Sequence, residues 1–307
     1  MRTSILRARC CIAGGGPAGM VLGLLLARAG VDVVVLEKHA DFLRDFRGDT
    51  VHPSTLQVLQ ELGLLQAFLQ RPHDKARDIR VHIGGAEAVV ADFGRLKGHC
   101  GFIAMVPQWE FLDFLRDEAE LYPGFRLLLQ AQALSLIEDQ GRVTGLRAGT
   151  PQGALEVHAD LVIGADGRRS TLREAAGLQV RDLGAPIDVL WMRVPRLAGD
   201  PQGSGGRIGT GRFLATIDRG SYWQCAYVIH KGGIESVRSR GIEALRGDLV
   251  ELMLLASREA SAMPWQLKLL GWFPALRALP AYAVGVGVRP EHVRSPLAAP
   301  RRVPATG

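Results

Sequence analysis

The 307-residue sequence predicts an α/β protein: an amino-terminal βαβ unit, a mixed and antiparallel β-sheet inserted after it, and a helical carboxyl-terminal region. Three observations predict this. Residues 5–13 and Val31 to Leu36 are short apolar runs, the second β-branched and almost unbroken, as in strands buried on both faces of a parallel sheet. Between them, Pro17 to Gly30 reads as a helix, with Pro17 in the first turn, where a missing N–H costs little, and Gly30 as a stop. Beyond Leu36 the strand–helix alternation ceases and β-rich sequence follows, unlike a chain that continues as repeated βα units.

The remaining elements follow in order. Residues 53–69 carry Leu56, Leu59, Leu62, Leu65 and Phe68 at near-helical spacing, which predicts one or two helices. Residues 77–93 read as a hairpin with Gly84-Gly85 at its turn. An amphipathic helix over 109–120 turns Phe111, Leu112, Phe114, Leu115 and Ala119 to one side. Three or four short strands are predicted between 125 and 165, and strands again dominate from 187 to 230. Residues 234–260 and 264–279 read as helical, and 289–307, with four Pro and four Arg, as a disordered tail.

Composition narrows the classes. Hydrophobic residues make up 47% and charged residues 22%, which is globular rather than disordered usage. Gly is abundant at 37 residues but shows no G-X-Y period, so a collagen-like chain is excluded. The net charge is +6, yet only five of the 37 basic residues are Lys and the Arg are scattered rather than striped, so no nucleic-acid partner is expected. The four Cys (10, 11, 100 and 225) form no C-x-x-C pair and, with the eight His, no zinc spacing, so no metal is expected. Cys10 and Cys11 are neighbours on a strand and point to opposite faces, which disfavours a bridge and suggests a reducing compartment. The longest apolar stretch, Met20 to Leu36, is broken by Arg28 and Asp32, and Gly14-Gly15-Gly16-Pro17 interrupts any signal-peptide shape. The expectation is a cytoplasmic protein without stable membrane insertion.

The chemistry lies in two motifs. Gly14-x-Gly16-x-x-Gly19 sits between a predicted strand and a helix, the context that a dinucleotide fingerprint requires. Gly14 permits a tight turn, Gly16 a close approach by a pyrophosphate, and Gly19 the packing of helix on sheet, while the helix N-terminus offers N–H groups to phosphates. Glu37 closes the second strand, roughly 20 residues on, where a carboxylate can accept ribose hydroxyls and repel a 2′-phosphate. The second motif, Asp166-Gly167-Arg168-Arg169-Ser170-Thr171-Leu172-Arg173, follows the apolar run 161–165. One reading is a turn with Ser170 as N-cap of a short helix; the other places Asp166 and the following amides beside a cofactor at the carboxyl end of a sheet strand.

Gly14-Gly15-Gly16-Pro17-Ala18-Gly19 ending in Glu37-Lys38, with Asp166-Gly167-x-x-Ser170-x-x-Arg173, resembles the FAD-dependent monooxygenases of the aromatic-hydroxylase (p-hydroxybenzoate hydroxylase-like) class over residues 8–250. The resemblance implies an FAD-binding βαβ (Rossmann-like) domain, discontinuous over 1–75 and 100–180. A substrate-lobe β-sheet over 76–99 and 181–232, and a helical region over 233–288, complete the implied organisation. It places Asp166 and Gly167 against FAD, Arg47 against the flavin diphosphate, and Gln108 at the start of a helix facing the FAD chain. The cofactor set is Gly14, Gly15, Gly16, Pro17, Ala18, Gly19, Glu37, Lys38, Arg47, Gln108, Asp166 and Gly167. The implied activity is hydroxylation of a small organic substrate, aromatic or other, by O₂ through a flavin hydroperoxide, with NADPH or NADH as transient reductant. Trp191, Trp223 and Tyr227 read as strand core more readily than as an aromatic pocket, and no acid, base or nucleophile stands out.

One family signature, Gly-Asp-Ala-Ala-His after an apolar strand, is missing: Gly48-Asp49, Gly199-Asp200 and Gly247-Asp248 all stand in other contexts. The carboxyl-terminal sequence Pro264 to Val293 nevertheless resembles the family's own, which points to an internal deletion with a junction between about Leu249 and Met263, the alternative being a divergent relative that does without the segment. Such a chain is expected to retain FAD weakly or not at all, and its alternative reading is a non-catalytic FAD-binding remnant.

Overall fold

The computed structural model describes residues 3–43, 49–83, 86–98, 100–182, 184–200, 203–209, 211–255, 264–287 and 292–297. The chain forms two compact units, one of Met1–Asp45, Pro107–Asp182 and Val293–Gly307, the other of Phe46–Val106 and Leu183–His292.

The first unit is built on a six-stranded sheet in the order Phe125–Leu128, Val33–Leu36, Ser4–Ala13, Gly153–Gly164, Arg142–Thr150, Gln132–Asp139. The first four run parallel, and the last two add an antiparallel meander. Val33, Val34, Val35 and Ile12 are wholly buried, as expected for central parallel strands covered on both faces. Ala13 lies opposite both Leu36 and Gly164, so three adjacent strands end in line and deliver Gly14, Glu37 and Ala165 to one sheet edge. The chain steps from Ser4–Ala13 to one side for two strands and later returns on its other side. The strand order therefore reverses here, and such switch points carry ligands at their carboxyl ends.

The Pro17–Arg28 helix buries Gly19, Met20, Gly23, Leu24 and Ala27 on one face and packs beside the Gln108–Ala119 helix. Burying Met20 and Leu24, at 0% and 1% exposure, contributes about 1.5–3 kcal/mol each. The helix stops two residues short of Gly30, whose φ of 79° turns the chain while Val31 N–H returns to Leu26 O. Cys11, Val34, Leu146, Val157 and Leu172 form the core beneath the meander.

In the second unit the sheet order is Ile187–Pro195, Tyr222–His230, Arg212–Asp218, Gly205–Gly209, Asp78–Ile83, Ala86–Asp92. Only Gly205–Gly209 and Asp78–Ile83 pair in parallel. The 77–93 hairpin is present, and its Gly84-Gly85 turn lies outside the described residues. Pro53–Glu61 and Leu65–Phe68 are the two helices of the 53–69 segment. A small sheet of Thr50–Val51, Ile103–Met105 and Asp74–Ala76 was not foreseen, because strands of two or three residues carry no readable alternation. Trp223 and Tyr227 are core, packed with Leu214 and Cys225 against Leu245, Leu249 and Leu252 of the Ile234–Leu255 helix. Trp191, between Leu190 and Met192 of that cluster, takes the opposite sheet face.

Two helical readings are corrected. Gly241, at φ 80°, breaks the first segment internally. The expected 264–279 helix is Trp265–Trp272, a 3₁₀ turn at Pro274–Arg277 and a further helix Ala278–Gly285. Pro274 has no N–H to continue the first of these. Of the 289–307 tail only 292–297 are described, without helix or strand. No helix among the described residues is long and apolar enough to cross a membrane.

Candidate functional site

The three aligned strand ends of the first unit surround a cavity of about 270 Å³. The glycine turn forms its floor. Gly14 adopts φ 110° and donates its N–H to Leu36 O at 2.7 Å, and a Cβ there would lie 2.3 Å from Ala165 O. At Gly19 a Cβ would come within 1.9 Å of the Gly14 carbonyl oxygen, so the helix can seat on the turn only with glycine. Gly16 differs: a Cβ there meets nothing within 4 Å. It is the N-cap of the Pro17–Arg28 helix and no side chain caps that end. The first-turn donors are therefore available to an anion entering from the cavity.

Glu37 is 2% exposed and still lines the cavity. Its Oε2 accepts the Gly15 N–H at 2.9 Å and its Oε1 the His39 N–H at 3.0 Å. A Cβ at Gly15 would sit 2.8 Å from the Glu37 Cβ, so the middle glycine makes room for the carboxylate. A carboxylate presents two oxygens with about four lone-pair sites to such donors.

The Asp166 turn forms the facing wall. Asp166 Oδ1 accepts the Ser170 hydroxyl at 2.5 Å and Oδ2 the Leu172 N–H at 3.2 Å, while Ser170 Oγ accepts the Arg173 N–H at 3.0 Å. Ser170 is thus the N-cap of Thr171–Ala175, and Asp166 braces that cap. Asp166 and Gly167, the latter at φ 86°, both line the cavity. The structural and site-lining readings of this motif hold together.

Of the sequence-derived set, Gly14, Gly16, Pro17, Ala18, Glu37, Lys38, Asp166 and Gly167 line this one cavity. Gly15 and Gly19 shape it from behind. Gln108 opens the Gln108–Ala119 helix but does not line the cavity. Arg47 lies outside the described residues. Sequence reading missed Ala131, Gln132 and Ala133, a wall positioned by Ala131 N–H bonding to Glu37 O at 2.8 Å, and gave no role to Arg169 or Thr171. Arg169 and Thr171 had a signal, their place inside the Asp166 motif; Ala131, Gln132 and Ala133 had none. All four cysteines are free and buried.

Residues 7–205 match the family described as FAD binding domain. The chain is similar to 6-methylpretetramide 4-monooxygenase from Streptomyces rimosus, with 33% identity over 185 residues, 60% of this chain and 44% of that protein. It is also similar to rifampicin monooxygenase from Streptomyces venezuelae, 32% identical over 169 residues, 54% of this chain and 33% of that protein. The chain thus spans less than half the length of either relative. Among solved structures, p-nitrophenol 4-monooxygenase from Pseudomonas putida superposes with a TM-score of 0.67 at 19% identity, covering 86% of this chain and 66% of that one. A flavoprotein/dehydrogenase from Cytophaga hutchinsonii gives 0.70 at 19% identity, covering 83% and 64%. At these identities the structural likeness establishes the fold.

Proposed function

The chain belongs to the FAD-binding-domain family, and from that premise we propose that it is an FAD-dependent monooxygenase of the aromatic-hydroxylase-like class, which hydroxylates a small organic substrate with O₂ and draws electrons from NADH or NADPH. One observation carries the reading: the glycine turn, Glu37 and the Asp166 turn, distant in sequence, converge on one cavity at a topological switch point.

The residues present fit the adenosine-diphosphate half of FAD. Open space over Gly16 and the uncapped helix end suit a diphosphate, and the buried Glu37 carboxylate suits two ribose hydroxyls. At about 270 Å³ the cavity is below the ~300–1,000 Å³ usual for whole-ligand clefts, in keeping with a nucleotide fragment. In this reading the first-turn amides of Pro17–Arg28 hold the diphosphate, Glu37 orients the ribose and rejects a 2′-phosphate, and Lys38 and Arg169 add positive charge at the cavity wall. Asp166 keeps the opposite wall rigid through Ser170 and Leu172. Bound there, FAD supplies the electron transfer and oxygen activation that no side chain of this protein can provide. The sheet of the second unit would carry the organic substrate.

The missing Gly-Asp-Ala-Ala-His signature favours a second reading, an FAD-binding remnant without turnover. Two features of the first unit accord with it. His158 is the last residue of Gly153–Gly164 paired with the meander, and Leu161 beyond it is 54% exposed. Reconstitution with FAD, followed by NADH and NADPH oxidation with and without aromatic substrates, separates the two. Substrate-stimulated oxidation supports the enzyme, saturable FAD binding without oxidation supports the remnant, and no FAD binding defeats both.

A further inference from the structure

The second unit holds a separate cavity of about 80 Å³, lined by Arg80, His82, Glu87, Arg207, Thr216 and Trp223 among others. Arg207 projects from the Gly205–Gly209 strand, in register with Leu214 on one side and His82 on the other. Its Nε is buried and has no hydrogen-bond partner, and among the described residues Arg207 makes no ion pair. A guanidinium offers five donors and cannot shed its charge, so leaving it in a partly dry site without an acceptor is costly.

The acidic groups nearby are committed elsewhere. Arg80 takes both Asp78 oxygens at 2.9 Å and Glu87 Oε1 at 2.8 Å, and His82 Nε2 lies 3.6 Å from Glu87 Oε2. Asp200 accepts the Trp223 indole N–H at 2.8 Å and the Leu197 N–H at 2.9 Å. The Thr216 hydroxyl donates to Gly205 O at 3.2 Å. Cys225 interacts electrostatically with Arg207, but burial pushes its thiol up to about 11, so it is neutral at physiological pH and supplies no counter-charge.

We propose that Arg207 anchors a binding site for a small oxyanion, a carboxylate or phosphate group, in this cavity. Size agrees: the cavity exceeds the ~10–15 Å³ that one water needs and is smaller than the ~150 Å³ of a cavity that holds benzene. The occupant is thus a free anion or the charged end of a larger molecule. The site lies wholly within the second unit and is independent of the proposed FAD site.

The test is thermal denaturation of the full chain in inorganic phosphate, acetate or chloride at equal ionic strength, for wild type, Arg207→Met and Arg207→Gln. Wild type should gain about 3 °C, saturably, in phosphate or acetate at tenfold excess over the dissociation constant. A response to phosphate alone identifies a phosphate group as ligand, and a response to acetate a carboxylate. Whichever variant folds should lose that gain and be at least as stable as wild type in chloride, because the uncompensated charge is gone. Equal wild-type melting in all three salts, or a gain that survives both substitutions, overturns the proposal. The variants also exclude phosphate bound at the glycine turn, which they leave intact.

Discussion

The buried Glu37 carboxylate accepts the Gly15 N–H at 2.9 Å, so the side chain assigned to the ribose also fixes the glycine turn. Glu37→Ala should therefore act twice. It should destabilise the first unit by about 1.5–3 kcal/mol, the worth of a hydrogen bond to a charged group, and weaken adenine-dinucleotide binding at least tenfold. Glu37→Gln, which keeps one acceptor oxygen, should fall between. Denaturant titration and calorimetric titration of the same preparations read the two effects separately.

Gly16 and Gly19 separate shape from binding. Gly19→Ala drives a Cβ to within 1.9 Å of the Gly14 carbonyl oxygen, and should cost more than the ~1–3 kcal/mol of ordinary overpacking. At Gly16 the backbone is extended (φ −74°, ψ 179°) and the space is open. Gly16→Ala should hold stability within about 0.5 kcal/mol yet lose dinucleotide affinity, because the methyl occupies the space given to the diphosphate. Unchanged affinity in Gly16→Ala would place the ligand elsewhere.

In the second unit, Arg219 and Asp49 pair at 3.3 Å with side chains 6% and 1% exposed, and Arg219 also donates to Gln224 Oε1 and Asp49 O. Removing Arg219 takes its guanidinium away from a buried carboxylate. Arg219→Met should cost about 3–5 kcal/mol, and the double variant with Asp49→Asn less than the sum of the singles. Additive losses in urea denaturation would show that the pair is not coupled.

Burial, and then the neighbouring Cys10, raise the Cys11 thiol from 9.0 to about 12. The folded state thus favours the neutral thiol. Its contribution to stability is complete below pH 9 and is lost as pH rises from about 9 towards 12, where the unfolded chain ionises first. Cys11→Ala should flatten the alkaline limb of the stability–pH curve. In native protein at pH 8, all four buried thiols should react slowly with a disulfide reagent, and all four rapidly after denaturation.

How much was legible in the sequence depended on how local each signal was. The Gly14–Gly19 turn, Glu37 and Asp166 were readable because each is a strand end with its special residues in one short stretch. That all three share an edge follows from the parallel pairing of Ser4–Ala13 with Val33–Leu36 on one side and with the distant Gly153–Gly164 on the other, which the register shows. Ala131, Gln132 and Ala133 were illegible, since they belong to no motif and reach the cavity only through the pairing of Val33–Leu36 with Phe125–Leu128. Gln108 was placed correctly at a helix start, but a helix start does not reveal what the side chain faces. The unpaired Arg207 could not be read at all, because its lack of an acceptor is a property of the folded sheet.

The central claim is that the first unit grips the adenosine diphosphate end of its cofactor through backbone amides and Glu37. Calorimetric titration of the purified chain with ADP, beside Glu37→Ala, tests it most directly. The account predicts one saturable site in wild type, weakened at least tenfold by the substitution. Absence of binding to wild type, or equal affinity in both proteins, would contradict it.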